Sequence, residues 1–105
     1  MNTVENKKLS DFFNALSHPV RVEIVTELLK GTKCVSDIRE LVKVNQPNVS
    51  QHLSVLKAGD IVDWQQEGKR KCYFLKKPLV IKDILRALKR DKISLFKEKS
   101  VNGEK

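Results

Sequence analysis

The stretch from Val44 to Gly59, Val-Asn-Gln-Pro-Asn-Val-Ser-Gln-His-Leu-Ser-Val-Leu-Lys-Ala-Gly, constrains this chain more than any other. It predicts one short helix with both ends marked. Asn45 is placed to cap the start by accepting from a free first-turn N–H. Pro47 follows in the first turn, where a missing N–H costs nothing. Gly59 supplies the left-handed residue that commonly closes a helix. Between them Val49, Leu53 and Leu56 recur at helical spacing, a stripe that demands a core. Roughly opposite lie Asn48, Gln51 and Ser54, with Gln46 and Ser50 on the leading edge. Amide side chains donate and accept at once, which matches adenine N6 and N7 in a DNA major groove. The same face also suits an ordinary solvated surface helix, so the surroundings decide.

Those surroundings read as a mainly helical α+β chain. Residues Met1 to Lys8 are polar and read as a flexible N-terminus. Leu9, Phe12, Phe13 and Leu16 then form a helical stripe, with Ser10 and Asp11 near its start. Ser17-His18-Pro19 breaks that helix and opens a second, whose buried face is Val20, Ile24, Val25, Leu28 and Leu29 and whose end is Gly31. A lone histidine at a helix entry reads as a local structural group rather than a metal ligand. Thr32-Lys33-Cys34 is a short connector or a three-residue strand. Ser36 or Asp37 starts a third helix with Ile38, Leu41 and Val42 facing inward. Two short helices joined by a tight turn, the second presenting polar groups, are the helix-turn-helix layout.

After Gly59 the apolar period changes to two. Ile61 to Gln65 and Lys71 to Leu75 read as strands rich in sheet-forming residues. Gln66 to Arg70 joins them as a hairpin with Gly68 at its tip. The tip is basic, with Lys69, Arg70 and Lys71 consecutive, so the hairpin reads as a wing reaching phosphates beside the helix-turn-helix, or as a merely solvated turn. Pro78 opens a last helix with the stripe Ile81, Ile84, Leu85, Leu88 and Leu95, flanked by Lys82, Arg86, Lys89 and Arg90. One domain from 9 to 97 is expected, a winged helix-turn-helix, with 98 to 105 as a flexible C-terminus.

The formal net charge is +8, and the segment from Lys76 onward holds ten basic and four acidic side chains. Such a balance suits a polyanionic partner. The expected reading helix carries only Lys57, so it is suited to specify rather than to attract. No apolar run approaches a membrane span, Met1 is followed by polar residues rather than a signal peptide, and two cysteines are too few for a disulfide-built secreted scaffold. A cytoplasmic location follows as the expectation. Paired carboxylates near a histidine, a Gly-rich phosphate loop and a Ser/His/Asp set at a suggestive spacing are all missing from the sequence, which argues against an enzyme.

Four places resemble the ArsR/SmtB family of winged-helix repressors. Ala15 to Arg21 resembles the entry into the second helix, and Cys34-Val35-Ser36-Asp37-Ile38 resembles the Cys-Val-Cys-Asp-Leu box. Asn45 to Leu53 resembles the recognition helix, and Gly59 to Tyr73 its exit and wing. The resemblance covers residues 9 to 90 and implies a homodimer through first and last helices that represses transcription until an effector releases it. Two departures matter. Cys34-Val35-Ser36 lacks the second thiolate of the arsenic- and lead-type chelate. Lys77, Leu79 and Asp83 stand where zinc and cobalt members place Asp and His pairs. No resident cofactor or metal is therefore assigned.

The expected DNA-contacting residues are Gln46, Asn48, Ser50, Gln51, His52 and Lys57 on the helix, with Lys69 and Arg70 on the wing. The expected partner is a pseudo-palindromic double-stranded operator bound by a two-fold dimer. A winged helix used for RNA or protein contact is the alternative, because fold alone does not fix function. Cys34 and Cys72 form a candidate thiol switch. In winged-helix proteins the segment before the third helix commonly pairs with the second wing strand, which would bring the two within the roughly 4.4–6.8 Å Cα separation of a disulfide. A helix N-terminus and Lys33 beside Cys34 would favour its thiolate. Two buried thiols packed as small hydrophobes are the favoured reading. The active alternatives are a response to oxidants or, less favoured because two sulfurs without a third nearby ligand make a weak site, a soft metal or metalloid.

Overall fold

The structure, a computed structural model, describes residues 2–42 and 48–90. Its elements follow in the order α1 (Thr3–Ala15), α2 (Pro19–Leu28), β1 (Lys33–Cys34), α3 (Val35–Leu41), α4 (Val49–Ala58), β2 (Val62–Glu67), β3 (Arg70–Leu75) and α5 (Pro78–Arg90). The α+β fold class expected from the sequence is the one observed. Asn45, Gln46, Pro47, Leu95 and the C-terminal segment 98–105 lie outside the described residues.

Local chemistry explains most boundaries. α1 starts at Thr3, within the stretch expected to be flexible, because Asn2 and Glu5 cap each other. The Asn2 side chain accepts from the Glu5 N–H, and the Glu5 carboxylate accepts from the Asn2 N–H. This reciprocal pair satisfies two donors that a helix start would otherwise leave open. α2 opens on His18, whose Nδ1 accepts from the Val20 N–H at 3.1 Å, with Pro19 next in the first turn. The expected local role of His18 is the one seen.

α4 packs its stripe fully, Val49, Leu53 and Leu56 being buried against α2, α3 and the sheet. Gly59 differs from expectation. Its φ is −82°, and the left-handed residue is Asp60 at φ 65°. Aspartate visits that region more readily than most residues, and here Lys76 and Lys77 both donate to its carboxylate. Gly59 is needed for space instead. A Cβ there would lie 2.7 Å from the Ala15 Cβ, so glycine is what lets α1 cross α4 so closely.

The three strands form an antiparallel sheet in the order β1-β3-β2. The hairpin is tighter than the five-residue connection expected. Glu67 pairs with Arg70, leaving Gly68-Lys69 as a two-residue turn with Gly68 at φ 64°. Positive φ at the first central residue alone suits the turn that follows strand twist. The core collects Val20, Ile24, Val25 and Leu28 of α2, Ile38 and Val42 from the α3 region, the α4 stripe, Ile61, Val62, Tyr73 and Leu75 of the sheet region, and Ile81 of α5. Leu41, expected inside, is exposed. α3 runs only to Leu41, and Val42 at its C-cap takes the inward place in extended conformation.

Candidate nucleic-acid interface

Burying Val49, Leu53 and Leu56 turns the other side of α4 outward. Asn48, Ser50, Gln51, Ser54 and Lys57 are all exposed along it. Asn48 sits at the N-cap and makes no capping bond with its side chain. Ser54 Oγ donates to the Ser50 carbonyl, the usual local bond of a helical serine. Ser50 Oγ accepts from Arg39 of α3 at 3.3 Å. Arg39 was not singled out from the sequence. Its position in the last turn of α3, beside the start of α4, becomes meaningful only once the two helices are placed together. Lys57 lies 3.9 Å from Asp63 at the base of the wing.

His52, expected among the DNA contacts, lies at the edge of this face and is partly buried. It follows Val49 by three residues and precedes Leu56 by four, so it borders the buried stripe rather than opposing it. Its ring lies 4.5 Å from that of His18, and Arg21 Nη1 donates to its Nδ1 at 3.1 Å. Arg21 Nε also donates to the Ala15 carbonyl at 2.7 Å. Arg21 thereby ties α1, α2 and α4 together. Partial burial holds the His52 pKa below its ordinary value, and the charges of His18 and Arg21 act the same way. A neutral ring is what leaves Nδ1 able to accept.

The wing divides its cations. Lys69 stands exposed in the turn. Lys71 lies over the Trp64 ring at 4.3 Å, with Tyr73 further off at 5.6 Å. Arg70, expected to grip flanking phosphates, is instead turned to the start of α3. Its Nη2 donates to Asp37 at 2.9 Å and to Ser36 Oγ at 3.1 Å. An exposed cation next to an available carboxylate takes it, and nothing in the sequence spacing announces a partner more than thirty positions away.

Beneath that pair, Cys34 of β1 and Cys72 of β3 are directly opposed in the ladder and joined as a disulfide. The expected pairing of the two segments is observed. Their Cα atoms are 3.6 Å apart, closer than the range expected. Both residues are buried, and the exposed carboxylate of Glu67 lies close to the sulfurs.

A second surface lies between α1 and α5. A groove of about 500 Å³ is lined by Leu9, Phe12, Phe13, Val80 and Ile84, together with Gly59 and Asp60. Phe13 and Leu79 are more than half exposed. Lys82, Arg86, Lys89 and Arg90 line a different groove, against Thr26, Leu29 and Leu85. The cations therefore lie away from the apolar seam.

Residues 18–63 match the family described as bacterial regulatory protein, arsR family. The chain is 38% identical over 65 residues to the HTH-type transcriptional repressor SmtB of Mycobacterium tuberculosis, covering 62% of this chain and 48% of that protein. It is 30% identical over 61 residues to the transcriptional repressor SdpR of Bacillus subtilis, covering 58% of this chain and 68% of that one. The chain thus spans about half the length of the first of these relatives. Its fold is that of a homodimeric winged helix-turn-helix DNA-binding domain from Mycobacterium bovis, described as a possible ArsR-family regulator. The TM-score is 0.76 at 22% identity, over 87% of this chain and 86% of that one. Transcriptional regulation, rather than enzyme activity, is what these names have in common.

Proposed function

Because the chain belongs to the arsR family of bacterial regulatory proteins, we propose that it is a cytoplasmic, sequence-specific DNA-binding repressor. The observation that carries this reading is the outer face of α4. It is exposed, short and almost uncharged, on a helix whose other side is locked into the core. A rigid helix presenting Ser50 and Gln51 suits base-edge readout in the major groove. Gln46, which lies outside the described residues, is kept as a proposed contact from its sequence position alone. The exposed cations Lys57, Lys69, Lys71 and Arg39 support phosphate contacts on either side.

The groove between α1 and α5 supports a dimer. Leu9, Phe13, Leu79, Val80 and Ile84 form an apolar surface that a second copy would cover, and the two reading helices would then meet successive half-sites of a pseudo-palindrome. The effector reading rests on the cysteines. In the reduced chain a thiolate attacks peroxide to give a sulfenic acid, and the second thiol displaces water to form the disulfide. Two thiols and one hydrogen peroxide become one disulfide and two waters. In the disulfide-bonded form Arg70 is spent on Asp37 and Ser36. The effector reading is that oxidation changes how β1 and the wing are held and so loosens DNA.

The test is a gel shift with the chain's own upstream promoter DNA, random duplex DNA and duplex RNA. Gln51→Ala should cost about 1–3 kcal/mol at the cognate site and relax base preference. Equal loss on cognate and random DNA would remove α4 as the reader, and preference for duplex RNA would favour an RNA-binding module. Peroxide should weaken DNA binding in the wild type and leave Cys34→Ser and Cys72→Ser unaffected. The same response in both variants would place the sensor elsewhere.

A further inference from the structure

The side-chain oxygen of Glu67 and the sulfurs of Cys34 and Cys72 all lie within 4.8 Å of one another. We propose that, in the reduced chain, Cys34, Cys72 and Glu67 form a binding site for a thiophilic divalent cation such as Zn²⁺ or Cd²⁺. The reading adds a ligand to this chain and does not depend on DNA binding. Its donor set is neither of the two that the family resemblance would suggest, since two of the three ligands come from the wing.

The sheet register assembles the set. Cys34 and Gln65 both pair with Cys72, from opposite sides. Glu67 is two residues beyond Gln65 and so lies on the same face of the sheet. Sulfurs close enough to bond need only open to about 3.8 Å to take two corners of a tetrahedron with metal–sulfur distances near 2.3 Å. A carboxylate oxygen takes the third, and water from the exposed Glu67 side takes the fourth. Gln65 Nε2 donates to Glu67 Oε2 at 2.7 Å. That bond fixes the carboxylate and leaves Oε1 for the ion, the support that ligating carboxylates generally have.

The charges also fit. Cys34 and Cys72 are buried, and an unpaired thiolate there would be costly. A divalent cation removes that cost as it displaces the two thiol protons. Disulfide and ion compete for the same sulfurs. A dithiol reductant supplies two electrons and two protons to open the bond, and becomes a disulfide itself. The cation then takes the place of the protons. With the ion bound, β1, β3 and the end of β2 are tied together through three side chains rather than two.

The experiment titrates Cd²⁺ into the full-length chain, reduced and kept anaerobic, following the ultraviolet thiolate-to-metal charge-transfer absorption. The expected result is saturation at one ion per chain. Cys72→Ser should abolish the band. Glu67→Gln, at an exposed position where folding is not at risk, should keep the band and weaken binding by more than the roughly 10- to 100-fold that losing an outer-shell partner costs. Wild-type protein oxidised to the disulfide serves as a control that needs no substitution and should show no band. Absence of the band in the reduced wild type overturns the site. So does a band with unchanged affinity in Glu67→Gln, or equal Cd²⁺ uptake by the oxidised chain. None of these readouts involves DNA, so failure of the repressor reading would leave them intact.

Discussion

α4 and α1 begin from the same kind of sequence and end differently. Each carries an apolar stripe at helical spacing. In α4 the stripe vanishes inside the molecule, with Leu53 and Leu56 at 0% exposure. In α1, Leu9 keeps 40% and Phe13 57%, and only Ala15 is fully buried. The cause is position. α4 is enclosed by α1, α2, α3 and β2. α1 lies over one side of α4 and presents its other apolar residues to the groove it shares with α5. A stripe therefore states that a helix needs an apolar partner and does not state whether that partner is in the same chain.

The sharpest way to break this comparison is to truncate one residue from each stripe. Leu53→Ala should destabilise the fold by about 2–5 kcal/mol in denaturant unfolding, the range for a buried leucine whose cavity cannot collapse. Phe13→Ala should shift the unfolding of the isolated chain by no more than about 0.5 kcal/mol. In sedimentation it should weaken self-association by about tenfold or more, as removing a central aromatic anchor does. Equal destabilisation by the two, with association unchanged, would mean that the α1 stripe serves the chain's own core.

Gly59→Ala tests the point where the two helices meet. The added methyl would press on Ala15, and the backbone at both helices would have to part. A cost of about 1–3 kcal/mol is expected, typical of overpacking. Because Gly59 has an ordinary negative φ, the cost should be relieved by Ala15→Gly in the same chain. Failure of that second change to restore stability would show that something other than the crossing requires glycine.

How much of this was readable beforehand depends on the range of the cause. The elements, the buried faces of α2 and α4, the cap at His18 and the pairing of Cys34 with Cys72 follow from periodicity, turn residues and helix-turn-helix order, all of them local or topological. What escaped depends on contacts between distant residues. Asp60 takes the left-handed place at the α4 exit, with Lys76 and Lys77 gripping its carboxylate. Arg70 finds Asp37 and Ser36 across the sheet edge. His52 looked like one more polar residue of the reading helix until α2 supplied His18 and Arg21 beside it. The start of α1 was legible in principle, since Asn2 and Glu5 have capping-box spacing, but the polar composition of the segment obscured it.

His52 gives the smallest expected effect and marks a polar seam between α4 and α2. Its pKa in the folded chain lies below the ordinary 6.5, first because partial burial disfavours the charged ring, then because His18 and Arg21 add positive charge nearby. In the unfolded chain it returns to the ordinary value. Between those two values the unfolded state binds more protons, so stability must fall as the solution is acidified. The contribution is complete above about pH 6.5 and is lost as pH drops through the lower folded value. Protonation would also set a ring N–H against the Arg21 guanidinium, where Nδ1 now accepts. His52→Gln keeps an acceptor for Arg21 and removes the titration. Thermal midpoints measured from pH 8 to pH 5 should therefore decline less in His52→Gln than in the wild type, with the two curves diverging only below about pH 6.5. Parallel curves across the whole range would show that the ring stays accessible to water and that the α2–α4 seam does not feel its charge.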